Sequence, residues 1–293
     1  MNATNPDAKA LARISDHIDS LGLSSNLVEL ESQGFTTIKG VLSSRTIKRA
    51  QTAILDRVEK DTGKRVDPLC AKEEDWEGML YIPYMLYDNP VFEEILLEAK
   101  PLAMIRYLLG DSCVLSSLGC HFKGPGGDAV TLHSDNGNGM PSPFPSYSQV
   151  ANVNYALTPY SKEAGSLAIV PSTHRLARQP VGSEMLLHGS KANSSAIAMD
   201  LEPGDAVIWH GNTWHGSFRR EIPGIRMNLA VYFARQYLQT QEQHKGATSE
   251  AFLKRHANNK RMLRLLGSDQ PYGWREDGPD YELMARNPRG LFD

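Results

Sequence analysis

Between residues 113 and 234 the chain breaks into short runs of β-forming residues separated by Gly, Pro and Asn: 113–122, 128–133, 150–157, 166–170, 196–201, 205–209 and 226–234. Strands this short and this numerous bury their apolar sides only by packing on one another. The pattern therefore predicts a closed barrel or a sandwich in which inward and outward residues alternate. Glu202-Pro203-Gly204-Asp205 predicts a type II turn, because Pro sets φ at the second position and Gly permits a positive φ at the third. That turn launches the strand Ala206-Val207-Ile208-Trp209.

The first 111 residues follow the helical period instead. Leu11, Ile14, Ile18 and Leu21 lie on one face of a helix predicted over 7–21. A short strand is expected at 34–38. A helix capped by Ser43 or Ser44 should run to about Lys60, with Ile47, Ala50, Ile54 and Val58 as its apolar stripe. Asn89-Pro90 opens a further helical stretch to Leu109, closed by Gly110. Pro101 predicts either two helices there or one kinked helix. A helix is also expected over 249–267. The organisation predicted is one domain over 1–293: a mainly helical part (1–111), a β core (112–235) and a helical C-terminal extension (236–293).

Composition removes several classes of function. The apolar fraction of 41% supports a substantial core, and a net charge of −3 without a basic stripe argues against a nucleic-acid partner. No apolar run approaches the roughly 20 residues that span a bilayer, and Met1–Ser20 lacks the layout of a secretory signal. A cytoplasmic protein without a membrane partner is expected. Cys70, Cys113 and Cys120 are an odd number without a paired short spacing, which fits reduced thiols rather than a disulfide framework or a zinc knuckle.

The chemistry is concentrated in His133-Ser134-Asp135. At a strand end, residues i and i+2 project to the same side, so an imidazole nitrogen and a carboxylate oxygen can meet at one point. Two histidines and one carboxylate on one face leave free positions opposite, the arrangement that suits ferrous iron. His215, in Trp209-His210-Gly211-Asn212-Thr213-Trp214-His215-Gly216, is the candidate third ligand. His210 competes for the role but directly follows the strand and is expected at its rim. Eleven residues beyond His215, the run Arg226-Met227-Asn228-Leu229-Ala230-Val231-Tyr232-Phe233 places Arg226, Asn228, Ala230 and Tyr232 on one face. A buried arginine needs an anion. No acid in that run provides one, and a small-molecule carboxylate fits the two-pronged guanidinium.

His133-x-Asp135, His215 and Arg226 together resemble the phytanoyl-CoA dioxygenase-like branch of the iron/2-oxoglutarate oxygenases. Gly34-Phe35 with the helix from Leu42 onward, Glu163-Ala164-Gly165-Ser166-Leu167, Val170-Pro171-Ser172-Thr173-His174, and Gly204-Asp205 through Ser217 are similar to further stretches of that family. The resemblance covers about residues 30–235. It implies an α+β fold with a double-stranded β-helix (jelly-roll, cupin-like) core and helices packed outside it. It also implies Fe(II), 2-oxoglutarate as co-substrate and O2, with Ser217 and Arg226 on the far carboxylate of 2-oxoglutarate. Release of succinate and CO2 would accompany oxidation of a small organic substrate, hydroxylation being the default within a family that also desaturates, epoxidises and rearranges.

Two positions depart from the family pattern: Pro171 is not followed by glycine, and Glu163-Ala164-Gly165 lacks an asparagine. Asp135 stands where related halogenases have Gly or Ala, which argues against halogenation. Asn152 and Asn154 share a strand face and are candidate wall residues. Tyr81, Tyr84, Met85 and Phe122 are weighed between substrate contact and core packing, and His121 and Lys123 are carried as inward-pointing candidates. The loops 136–149 and 171–195 are long enough to serve as lids over a site. A terpenoid or acyl substrate from secondary metabolism is the expectation. The alternatives are a cupin-type metalloenzyme that does not use 2-oxoglutarate and a non-catalytic binding protein on the same barrel.

Overall fold

The computed structural model describes residues 6–137, 139–268, 274–275 and 277–286. The N-terminal part holds α1 (Pro6–Ser20), α2 (Ser24–Gln33), β1 (Phe35–Ile38), α3 (Ser44–Thr62), β2 (Met79–Ile82), α4 (Pro90–Leu96) and α5 (Ala99–Leu109). The strands that follow are β3 (Val114–Lys123), β4 (Val130–His133), β5 (Val150–Ala156), β6 (Leu167–Ile169), β7 (Ile197–Ala198), β8 (Ala206–His210), β9 (His215–Ser217) and β10 (Arg226–Ala234). Short helices α6 (His244–Ala247), α7 (Glu250–Arg255) and α8 (Lys260–Leu265) come next, then β11 (Trp274–Arg275), β12 (Gly278–Pro279) and α9 (Tyr281–Arg286).

Two antiparallel sheets form the jelly-roll core. One has the order β1-β8-β5-β10-β3-β2, the other β4-β9-β6-β7. They pack through a cluster that joins Leu167 and Ile169 of β6 to Val207 and Trp209 of β8. The outer face of the larger sheet carries the helices. Met227, Leu229, Val231 and Phe233 of β10 share one cluster with Ile54, Phe92, Ile105 and other helical side chains. Burial of each such side chain contributes about 1.5–3 kcal/mol, and this fixes which face of β10 turns inward. Arg226, Asn228, Ala230 and Tyr232 alternate with them and line the cavity between the sheets, as the sequence pattern predicts.

Local chemistry explains most boundaries. Ser43 caps α3 by accepting from the Thr46 N–H, and Gly63 ends the helix at φ +72°. Asn89 caps α4 with Pro90 just inside. The 89–109 stretch is two helices, and Pro101 falls in the first turn of α5, where no N–H partner is lost. Gly204 has φ +99° in the turn before β8, and the Asp205 N–H returns to the Glu202 carbonyl. The single helix expected over 249–267 is instead α7 and α8. Asn259 interrupts it, using its side chain to cap the Met262 N–H. Several elements go beyond the sequence reading, α6, β11 and β12 among them. α2 buries only Leu30 and so shows little stripe, β2 joins the sheet edge against β3, and β9 is only three residues long. Part of the expected tail over 268–293 lies outside the described residues. Among the described residues, no helix is long and apolar enough to cross a membrane.

Candidate active site

β4 and β9 place the two histidines opposite one another. Val130 pairs with Ser217 and His133 with His215, so the register shifts between them and Thr131 and Leu132 together face Gly216. A Cβ on Gly216 would lie 2.3 Å from the Val130 carbonyl oxygen, so only glycine allows this approach. The rings of His133 and His215 come to 4.4 Å between centroids. The Nδ1 atom of each ring lies against a backbone carbonyl two residues back, Thr131 O at 2.9 Å and Thr213 O at 3.0 Å. An Nδ1–H held in that way leaves Nε2 with its lone pair free to bind a metal. The Nε2 atoms sit 3.7 Å (His133) and 3.4 Å (His215) from the two Asp135 oxygens. The three donors lie within 4.8 Å of one another. Donors at right angles on one ion stand roughly 3 Å apart when bonds are about 2.1 Å, so two imidazoles and one carboxylate here fit a single divalent ion. Burial depresses the His215 pKa to about 4, which keeps this ring neutral as a ligand must be.

Asp135 is held from several sides. Asn152 on β5 donates to Asp135 Oδ2 at 2.6 Å. The neighbouring Ser134 is gripped by Gln179, whose Oε1 accepts from the Ser134 N–H at 2.8 Å and whose Nε2 donates to the Ser134 carbonyl at 2.7 Å. The Ser134 hydroxyl and the Asn136 N–H both donate to the Gly211 carbonyl. His210 is buried, accepts the Asn212 N–H at Nδ1 and lies outside the metal-donor cluster. The loop 171–195 thus supplies a brace for the ligand segment through Gln179. The loop 136–149 is pinned through the Phe144 N–H to Ala177 O and through Pro145 O to Asn212.

The donors open on a cavity of about 490 Å³. Arg226 lies in its wall, buried, with Nη1 donating to Gly165 O at 2.8 Å and the guanidinium 5.4 Å from the Tyr160 ring. Glu163-Ala164-Gly165 therefore presents a carbonyl that aims the arginine. Among the described residues no carboxylate pairs with Arg226, and its buried Nε lacks a partner. Ser217 also lines the cavity, and its Oγ receives a 2.8 Å bond from Lys123 Nζ, which also donates to Asp128 O and Phe218 O. Lys123 is fully buried, and burial next to Arg226 lowers its pKa to about 7. Among the described residues, this end of the cavity carries cationic charge without a buried acid, a setting that calls for an anion.

The other candidates divide. Tyr81, Tyr84, His121, Asn152 and Asn154 line the cavity, whereas Met85 and Phe122 are core residues. Lys123 points inward without lining the cavity itself and bonds the lining Ser217. One lining acid escaped the sequence reading altogether: Glu242, after β10, which carries no motif.

The sequence profile of the family described as phytanoyl-CoA dioxygenase matches residues 30–228, more than half of the chain. Dioxygenase af480 of Aspergillus fumigatus is 24% identical over 139 residues, 47% of this chain and 42% of that protein, so the match spans less than half of that relative's length. Dioxygenase trt7 of Aspergillus terreus is 22% identical over 208 residues, 69% of this chain and 70% of that one. Among solved structures, HygX from Streptomyces hygroscopicus, crystallised with nickel and 2-oxoglutarate, aligns with a TM-score of 0.58 and 18% identity, covering 74% of this chain and 88% of its own. The non-heme α-ketoglutarate-dependent carbocyclase SnoK from nogalamycin biosynthesis gives 0.56 and 20%, covering 77% and 90%. EctD from S. alaskensis, with 2-oxoglutarate and 5-hydroxyectoine, gives 0.55 and 17%, covering 72% and 76%. At these identities the structural likenesses establish the jelly-roll fold. The profile match, laid over the His-Asp-His cluster it encloses, shows that the chain belongs to the phytanoyl-CoA dioxygenase family of iron- and 2-oxoglutarate-dependent oxygenases.

Proposed function

We propose that this protein uses ferrous iron, 2-oxoglutarate and O2 to oxidise, by default to hydroxylate, a small amphipathic organic molecule of secondary metabolism. The observation that carries the proposal is the unpaired, buried Arg226 in the same cavity as His133, Asp135 and His215. A metal-only site would not require that arginine. With iron bound, O2 would be the oxidant: 2-oxoglutarate gives up two electrons and ends as succinate and CO2, and the substrate gives up the other two.

The residues have separable tasks. His133 and His215 offer Nε2 donors, and the Asp135 carboxylate offers one negative charge, which leaves a ferrous site net positive and receptive to a dianion. Asn152 keeps the Asp135 carboxylate turned toward the histidines. Arg226 meets the far carboxylate of 2-oxoglutarate with its unused guanidinium edge. Ser217 donates its hydroxyl to the same carboxylate, since Lys123 occupies its acceptor side. Trp209, packed 4.8 Å from the His215 ring, and Tyr232 wall the cavity and keep water from the reacting centre. Fold-level analogy supports a small-molecule substrate: HygX has been crystallised with hygromycin B and EctD with 5-hydroxyectoine. The test is succinate release by the iron-loaded protein over a panel of compounds. A substrate accelerates it, and His215→Ala abolishes the acceleration. If no succinate forms under any condition, the cofactor assignment fails.

A further inference from the structure

We propose that Glu242 is a substrate-recognition residue that accepts a hydrogen bond from a hydroxyl or amine group on the substrate, opposite the 2-oxoglutarate end of the cavity; this rests on the oxygenase reading of the same site. Among the described residues, two acids line that cavity, Asp135 and Glu242, and its one lysine or arginine is Arg226. Asp135 is matched by the metal and Arg226 by 2-oxoglutarate. Glu242 is left without a cation of the chain on the cavity side. His244 Nε2 is 3.8 Å from Oε2 but does not line the cavity.

The backbone delivers Glu242 to this position. The pairing of β10 with β3 slips between Tyr232 and Phe233, which leaves Ser116 as an extra residue on β3. The freed Ser116 takes up the segment after β10: its Oγ accepts the Gln241 N–H at 3.0 Å and its carbonyl accepts the Glu242 N–H at 2.8 Å. From the other side, Tyr84 stands at φ +59°, ψ +25°, an unfavoured conformation for a bulky residue. In that conformation its N–H reaches Glu242 Oε1 at 2.6 Å, while its hydroxyl accepts the Gln243 N–H at 3.1 Å. A bulge and a left-handed tyrosine thus converge on one carboxylate. Strain of this kind persists where the surroundings impose it, and it is concentrated at functional sites.

The carboxylate retains capacity for a ligand. Oε1 accepts from Tyr84 and Oε2 from the Leu118 N–H at 3.2 Å, two of about four lone-pair positions. Burial raises the Glu242 carboxyl to about 7, so it costs free energy to ionise and gains from a donor. Around it, Ser117 donates to Gln241 Oε1 at 2.6 Å, which turns the Gln241 amide nitrogen away from that serine. Tyr81, Tyr84 and Tyr232 supply apolar ring surface nearby. A ring or chain carrying a polar donor matches this wall better than a plain hydrocarbon does.

The experiment uses three probes of one skeleton: borneol, bornylamine and the donor-free hydrocarbon bornane. Binding is measured by ligand-observed NMR on the full chain loaded with zinc, a redox-silent stand-in for iron, and with 2-oxoglutarate. At least one donor-bearing probe should bind at least tenfold tighter than bornane, and comparison of the alcohol with the amine identifies the donor. Glu242→Gln and Glu242→Asp should reduce that preference at least fivefold. Zinc and 2-oxoglutarate affinities should stay unchanged in both variants, which also reports an intact fold. Equal binding of the three probes, binding of none, or a preference that survives both substitutions would overturn the proposal. Failure of the parent protein to bind 2-oxoglutarate would instead overturn the reading of the site on which it rests.

Discussion

Asn152 Nδ2 donates to Asp135 Oδ2 at 2.6 Å, so the only carboxylate of the metal cluster is oriented by a strand of the opposite sheet. Without that bond the carboxylate is free to rotate away from His133 and His215. Outer-shell partners of metal ligands are worth about 10–100-fold in affinity. Asn152→Leu, which keeps the branched shape of asparagine without its donor, should weaken Fe(II) binding by that factor and leave the circular dichroism spectrum unchanged. An Asn152→Leu protein that binds iron like the parent would limit the residue to lining the cavity.

Gly216 opposite the β4 bulge offers a second test of the metal geometry. A methyl group there meets the Val130 carbonyl at 2.3 Å and must push β4 from β9, and with it His133 from His215. Overpacking typically costs about 1–3 kcal/mol. Gly216→Ala should lower the unfolding midpoint and weaken iron binding at least tenfold. His210→Ala should leave iron binding intact, because His210 lies outside the donor cluster. Chelation of the metal from the parent protein should lower its unfolding midpoint, since a ligand of the native state stabilises by mass action.

Lys123 makes 2-oxoglutarate binding sensitive to pH. Its pKa of about 7 lies below the usual lysine value of about 10.4. The ammonium form donates all three protons, to Asp128 O, Ser217 Oγ and Phe218 O, and so frees the Ser217 hydroxyl proton for a ligand carboxylate. A neutral amine competes for that proton instead. A bound dianion favours the charged lysine, so binding above pH 7 takes up a proton. The affinity should therefore fall as pH rises above about 7, by at most about tenfold per pH unit. Calorimetry in buffers of different ionisation enthalpy should detect the uptake, and Lys123→Met should remove it. Absence of uptake in the parent protein would show that Lys123 keeps one charge state throughout.

Much of this site is legible in the sequence because it depends on short spacings. His133-x-Asp135 is a strand-end pair, and the alternation of 226–233 fixes which residues of β10 face inward. Even the missing glycine after Pro171 is explained: Ser172 itself adopts φ +63°, the conformation glycine usually supplies, and its Oγ donates to Ser32 O. What could not be read depends on pairings between distant segments. Lys123 matters because β3 sets it beside Ser217, 94 residues away. Glu242 matters because a bulge at Ser116 catches a segment more than 120 residues further on. Neither relation leaves a periodic or motif signal. The two long loops resemble lids by composition; what the composition does not carry is that Gln179 and Phe144 tie them to the ligand segment and to each other.

The account depends most on Arg226 as the partner of a ligand carboxylate. Removing one member of a buried ion pair costs about 3–5 kcal/mol, and each 1.4 kcal/mol is about tenfold in affinity. Anaerobic calorimetric titration of Fe(II) and then 2-oxoglutarate into the parent protein, Arg226→Ala and Arg226→Lys measures this directly. Iron affinity should be the same in all three. 2-Oxoglutarate should bind at least a hundredfold more weakly to Arg226→Ala, with partial recovery in Arg226→Lys, because an ammonium lacks the two-pronged contact. If Arg226→Ala binds 2-oxoglutarate as tightly as the parent protein, Arg226 is not its carboxylate partner and this assignment of the cavity is wrong.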